Sequence, residues 1–154
     1  EETASRGLLL GTSSGFAPQS PVSRAMVWMV LARLEGVETA PAAPWYALAR
    51  EWAMTEGLTD GTRPDDAVTR EELATLLYRY EVRAGGGFTG SWYFPLRFPD
   101  AALASAYADE ALHWCVMKGI LAGRADGRLD PGGTATHAEF AAMLWRFLKL
   151  KEQT

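Results

Sequence analysis

The chain has 154 residues, 48% of them hydrophobic and 22% charged, a composition that supports one compact domain with its own core and excludes a disordered chain. A formal net charge of −4 gives no broad positive face of the kind nucleic-acid recognition starts from, so any anion must be held locally. The longest uncharged apolar run, Ala25 to Ala32, falls short of the roughly 18 residues of a membrane span, and no membrane insertion is expected.

In chain order, Gly7, Gly11 and Pro18 lead to Val22-Ser23-Arg24-Ala25-Met26 and a helix predicted from about Val22 to Glu35, with Val27, Val30, Leu31 and Leu34 at helical spacing. Only Glu1 to Arg6 precede Gly7, so this unit lacks a leading helix and something else must cover the apolar surface. The chain opens without a signal-peptide pattern and reads as a mature or excised piece of something longer. Next, Trp45, Leu48, Ala49, Trp52 and Ala53 predict a helix ending at Gly57, before Gly61, Pro64 and a helix from about Val68 to Val82. A longer segment, Ala84 to Phe98, holds three glycines and the aromatics Phe88, Trp92, Tyr93 and Phe94. So aromatic a segment is expected to pack on the body or to line a groove. Finally Tyr107, Ala111, Leu112, Trp114 and Cys115 predict a helix before Gly119, followed by Gly123, Pro131 and a helix from about Thr136 to Lys149.

The same unit thus occurs three times in phase, the sign of a fold made from copies of one supersecondary piece that cannot bury its apolar face alone. The expected division is a single module over 1–154, with repeats at about 1–40, 41–84 and 98–154 and a linker over 85–97. Thr69-Arg70-Glu71-Glu72 and Thr136-His137-Ala138-Glu139 are capping boxes at helix starts; Ser23 keeps the cap without the returning glutamate. The cations are harder to explain. Arg24 and Arg70 stand at the first helical position, where unpaired amides already carry partial positive charge and a cation is disfavoured by roughly 0.3–1 kcal/mol. A guanidinium beside free amides would suit a carboxylate ligand; an inter-unit salt bridge is the alternative. Arg33, Arg79 and Arg146, near the opposite helix ends, read as structural.

The pattern of Trp or Tyr twelve residues before a glycine, a second glycine four later, then proline and Thr-Arg-x-Glu, resembles the S-layer homology repeat, which usually occurs in threes. The resemblance covers nearly the whole chain: Gly7, Gly11, Phe16, Pro18 and Ser23-Arg24-Ala25; Trp45, Gly57-Leu58, Gly61 and Thr69 to Glu72; Phe98-Pro99-Asp100, Tyr107-Ala108, Gly119-Ile120, Gly123 and Thr136 to Ala141. It implies an all-α, pseudo-threefold, three-pronged bundle of helix-loop-helix repeats that anchors proteins non-covalently at the bacterial cell surface. The implied partner is a secondary cell-wall polysaccharide or peptidoglycan-linked glycan, often bearing pyruvate ketals. The implied ligand contacts are Arg24 and Arg70, with His137 in the third arginine's place, the aromatics Trp45 and Tyr107, and the acidic Asp100. His137 is mostly uncharged at neutral pH, so a weakened third groove is expected. A protein-interaction or assembly module that no longer binds glycan is the alternative, and self-association through the truncated first repeat would fit it. No cofactor, metal site or catalytic residue is expected, because Cys115, His113 and His137 show neither ligand spacing nor a nucleophile and base pair; Cys115 lies on an apolar stripe and His113 is expected to be exposed.

Overall fold

The computed structural model describes residues 18–90 and 92–152. Gly7, Gly11 and Phe16 lie outside the described residues. Five α-helices are described: α1 Arg24–Glu35, α2 Ala47–Thr55, α3 Arg70–Arg83, α4 Asp109–Met117 and α5 His137–Glu152, with 3-10 turns at Ala101–Leu103 and Ala106–Ala108. Among the described residues β structure is limited to isolated bridges, and the fold is all-α.

Two compact units divide the chain, one running to Val68 and including Ala135–Ala141, the other Thr69–Thr134 with Ala142–Thr154. In the first, α1 packs on α2; in the second, α3 packs on α4. Each pair joins the second helix of one sequence copy to the leading helix of the next. The glycines that end the leading helices do so as expected. Gly57 and Gly119 adopt φ of 77° and 78°, a left-handed conformation that costs glycine little, and the next residues turn inward to lie buried as Leu58 and Ile120.

The leading helices begin later than their apolar spacing predicts. Trp45 stands in a turn after Pro44, with the Ala47 amide donating to the Pro44 carbonyl, and Tyr107 stands in the Ala106–Ala108 turn. The second helices likewise start two residues later than predicted at α1 and α3, because Ser23 and Thr69 are extended caps and Val22 and Val68 belong to another structure.

That structure is a ring of three backbone hydrogen bonds in the first unit. Val22 donates to Ala135 (3.0 Å), Ala135 to Val68 (3.0 Å) and Val68 to Val22 (2.8 Å). These residues occupy the same place in the three sequence copies, and each is fully buried. Isolated bridges pair Pro21 with Thr136 and Ser23 with Ala67 beside it. In so dry a place every polar backbone group needs a partner, and here each copy supplies the next one's.

The aromatic segment after α3 is seated in the second unit. Phe88 stacks on Trp92 (3.9 Å, 5°) and packs on Tyr78, while Trp92 lies 5.3 Å from the His113 ring. Trp92 therefore half-covers His113, which the sequence reading had left exposed. Beneath them Tyr78 donates to Glu110, and burial together with this bond pushes the phenol's pKa up to about 12. Tyr93 alone of the segment's aromatics points to solvent, 86% exposed.

One face remains less covered. Ala25, Trp28, Met29 and Ala32 of α1, and Glu71, Ala74, Thr75 and Tyr78 of α3, are all buried. Their counterparts in α5 are not: Ala138, Ala141 and Ala142 are half-buried and Trp145 is 42% exposed. This is the face whose matching leading helix the sequence reading failed to find in the first copy.

The ring predicts an asymmetry between two substitutions. Val68→Pro deletes a ring donor and strands the Val22 carbonyl, whereas Val68→Ala trims only the side chain. Urea unfolding should place the proline variant at least about 2 kcal/mol below the alanine variant, and equal midpoints would show that the ring contributes little.

Candidate ligand-binding site

The candidate residues gather at the tips of the second helices. In each copy the first two helical amides are taken by the loop of another copy. Arg24 and Ala25 donate to the carbonyls of Asp66 and Pro64 (2.9 Å each), and His137 and Ala138 to those of Ser20 and Pro18 (2.9 and 3.0 Å), within the first unit. Arg70 and Glu71 donate to Gly133 and Pro131 (2.8 and 2.9 Å) within the second. The third amide goes to the cap: Met26 to Ser23 Oγ, Glu72 to Thr69 Oγ1 and Glu139 to Thr136 Oγ1, with both predicted capping boxes closed by Glu72 and Glu139. The expectation of free amides beside the arginines is thereby corrected. Three of the four orphan donors of the α1 end already have partners, and all four at α3 and α5, where Glu72 and Glu139 take the cap amide as well.

The cationic side chains reach the same loops. Arg24 Nε donates to the Thr62 carbonyl (2.9 Å), and its Nη2 meets Thr59 Oγ1 and the Asp60 carboxylate, both at 3.3 Å. Arg70 repeats the geometry on two loop carbonyls, Nε to Leu129 (2.9 Å) and Nη2 to Ala122 (2.7 Å). Thr62 and Leu129 each lie two residues before the recurring proline of their loop, Pro64 or Pro131. Both guanidinium groups are buried and act as clamps on a loop, a role that outweighs the local cost of a cation at a helix tip. His137, also buried, is too short for this reach. Its Nδ1 donates to the Ser20 carbonyl (3.0 Å), the acceptor its own amide already uses.

Asp100 stands at the start of the third copy's turn, where both carboxylate oxygens accept amides from the loop Arg70 clamps: Leu129 at 2.9 Å and Asp130 at 2.8 Å. Desolvation acts upward on its pKa, but these amides outweigh it and hold the carboxyl below its ordinary value. Arg124 ties the same loop through Asp130 (2.6 Å). In the first unit Asp60 is held low chiefly by the Thr62 amide and hydroxyl, with Arg24 adding its charge. Arg63 and Asp130, the residues before Pro64 and Pro131, share a left-handed φ of 52° and 55°, so both loops keep one backbone form.

The aromatic candidates are the accessible ones. Trp45 is 47% exposed and Tyr107 52%. Trp45 meets Tyr46 edge-on (5.2 Å), Tyr46 meets Trp28 (6.4 Å), and the Arg24 guanidinium lies 5.9 Å from the Trp28 ring, so a chain of ring contacts runs from the exposed tryptophan to the clamping arginine. In the second unit Tyr107 Oη lies 3.4 Å from Glu71 Oε2. The sequence reading missed Tyr46 and Glu71; attention went to the neighbouring Arg70 for its charge and to Glu72 for the capping box, and Glu71 between them was given no role.

Cys115 is fully buried, its thiol donates to the Ala74 carbonyl at 3.7 Å, and burial pushes its pKa well up, the opposite of an activated nucleophile.

With this geometry in view, comparisons place the chain. The family model for the S-layer homology domain matches residues 1–25 and 97–141. Domains described by that model anchor proteins to the cell wall. Over those residues the chain is similar to the S-layer homology domain, a match that points to the cell surface. It is 28% identical to an amylopullulanase of Thermoanaerobacterium thermosulfurigenes and 27% identical to exoglucanase XynX of Acetivibrio thermocellus, each over 97% of this chain but only 9% and 15% of the relative. In fold it is similar to an undecaheme cytochrome from the S-layer of Carboxydothermus ferrireducens, with a TM-score of 0.52 at 21% identity over 87% of this chain and 18% of the cytochrome.

Two predictions follow from the loop clamps. Arg70→Ala leaves the Leu129 and Ala122 carbonyls without their cationic donor and should lower stability by about 2–3 kcal/mol in chemical denaturation; an unchanged midpoint would free the arginine from a structural role. Asp60, Asp100 and Asp126 all titrate low when folded, so their stabilisation is complete above the ordinary carboxylate value of about 4 and is lost as pH falls through the lower folded values. The melting temperature should therefore hold from neutral pH to about 4 and drop below it, and Asp100→Asn should shorten that acid limb.

Proposed function

We propose that this module binds an anionic secondary cell-wall polysaccharide, pyruvylated where the wall carries that substituent, and so anchors the protein of which it forms part. Trp45 and Tyr107 cover the apolar faces of sugar rings, one in each unit. Arg24, Arg70 and His137 hold the adjoining loops, the two arginines offer positive potential to an acidic substituent, and Asp100 shapes the loop that Arg70 clamps. The observation that carries this reading is the recurrence of an exposed aromatic twelve residues before the left-handed glycine in both units of a chain with S-layer homology sequence.

The test is co-sedimentation of the module with purified wall sacculi, before and after chemical stripping of the secondary polysaccharide. Stripping should abolish binding. Trp45→Ala and Tyr107→Ala should each weaken it about five-fold, the equivalent of roughly 1 kcal/mol for one aromatic contact. Binding that survives stripping would assign the module to peptidoglycan or to a protein receptor.

A further inference from the structure

Glu71 distinguishes the second copy from the others. At the matching position the first copy has Ala25 and the third has Ala138, while Glu71 is a carboxylate 8% exposed. Its oxygens are occupied. Oε1 accepts the Ser105 amide at 2.8 Å, and Oε2 accepts the Ser105 hydroxyl at 2.6 Å and lies 3.4 Å from the Tyr107 hydroxyl. The backbone of Glu71 is fixed as well, since its amide donates to Pro131.

A partner residue changes with it. Ser105 lies fourteen residues before Gly119, and the residue fourteen before Gly57 is Ala43. The second unit therefore pairs Glu71 with Ser105 where the first unit has alanine at both places, Ala25 and Ala43. A buried carboxylate is costly unless its lone pairs are met, and the serine supplies two of the donors that meet them. Its position in the first turn of α3 adds favourable interaction with the helix dipole. What the pair holds is the start of the Ala106–Ala108 turn, the segment that carries Tyr107.

We infer that Glu71 is a positioning residue that presents Tyr107 to the ligand as a stacking surface. Anchored at Ser105 and at its own hydroxyl, the tyrosine loses rotamer freedom before the sugar arrives, and the cost of ordering it on binding falls. The hydroxyl is directed to Glu71, so the ring face rather than the hydroxyl is what a sugar meets. The first unit's Trp45 is held by a ring contact with Tyr46 instead. This inference rests on the polysaccharide reading above.

The experiment is a double-mutant cycle on Glu71 and Tyr107. The probe is polysaccharide released from purified sacculi, and affinity is measured by calorimetry. A fluorotyrosine-labelled protein reports the Tyr107 resonance in parallel. Glu71→Ala should weaken binding about three- to five-fold and broaden or shift that resonance, and on a Tyr107→Ala background it should have no further effect. Glu71→Gln, which keeps an acceptor for the Ser105 amide, should recover most of the affinity even where stability falls. Additive losses in the cycle, or Glu71→Ala binding unchanged while Tyr107→Ala binds weakly, would overturn the positioning role. If Tyr107→Ala itself leaves affinity unchanged, the failure lies with the polysaccharide site and not with Glu71 alone.

Discussion

Three buried amides that hand their hydrogens around a closed ring, Val22 to Ala135 to Val68 and back to Val22, set the terms for the rest of the first unit. Each ring residue sits immediately before a helix cap, so fixing the ring fixes where Ser23, Thr69 and Thr136 begin their helices. Water cannot substitute in a site with no exposure, so the three segments must arrive together or leave polar groups unmet.

The same logic extends outward to the loops. A helix start has amides to satisfy, and here they are met by carbonyls near the proline of a neighbouring copy's loop. The arginines then secure the far side of that loop. This makes sense of a residue type that local helix energetics disfavour: the small penalty of a cation at the tip is outweighed by bonds to otherwise unmet loop carbonyls. It also means that loop, cation and cap form one mechanical assembly, with the exposed aromatics Trp45 and Tyr107 placed at its margin.

Much of this was legible before any coordinates. Helix periodicity, the two capping boxes and the glycine stops depend on residues within four or five positions of one another, and all appear as expected. The beginnings of the leading helices were misjudged because Trp45 and Tyr107 share the apolar spacing but occupy turns. The partners of Arg24 and Arg70 were out of reach. They lie 38 and 59 residues away in sequence and are mainly backbone carbonyls, which carry no signature in the residue letters. Glu71 was hidden for a related reason, since its role is visible only when Ser105 and Ala43 are compared across copies.

Docking every helix tip on a different copy's loop has an arithmetic consequence. The first copy's tip uses the second copy's loop, the second uses the third's, and the third returns to the first at Ser20 and Pro18. A pair of such copies would leave one tip and one loop unmatched, and a lone copy could satisfy neither. Removing any one copy therefore breaks the circuit at two places, a helix tip without its loop and a loop without its tip.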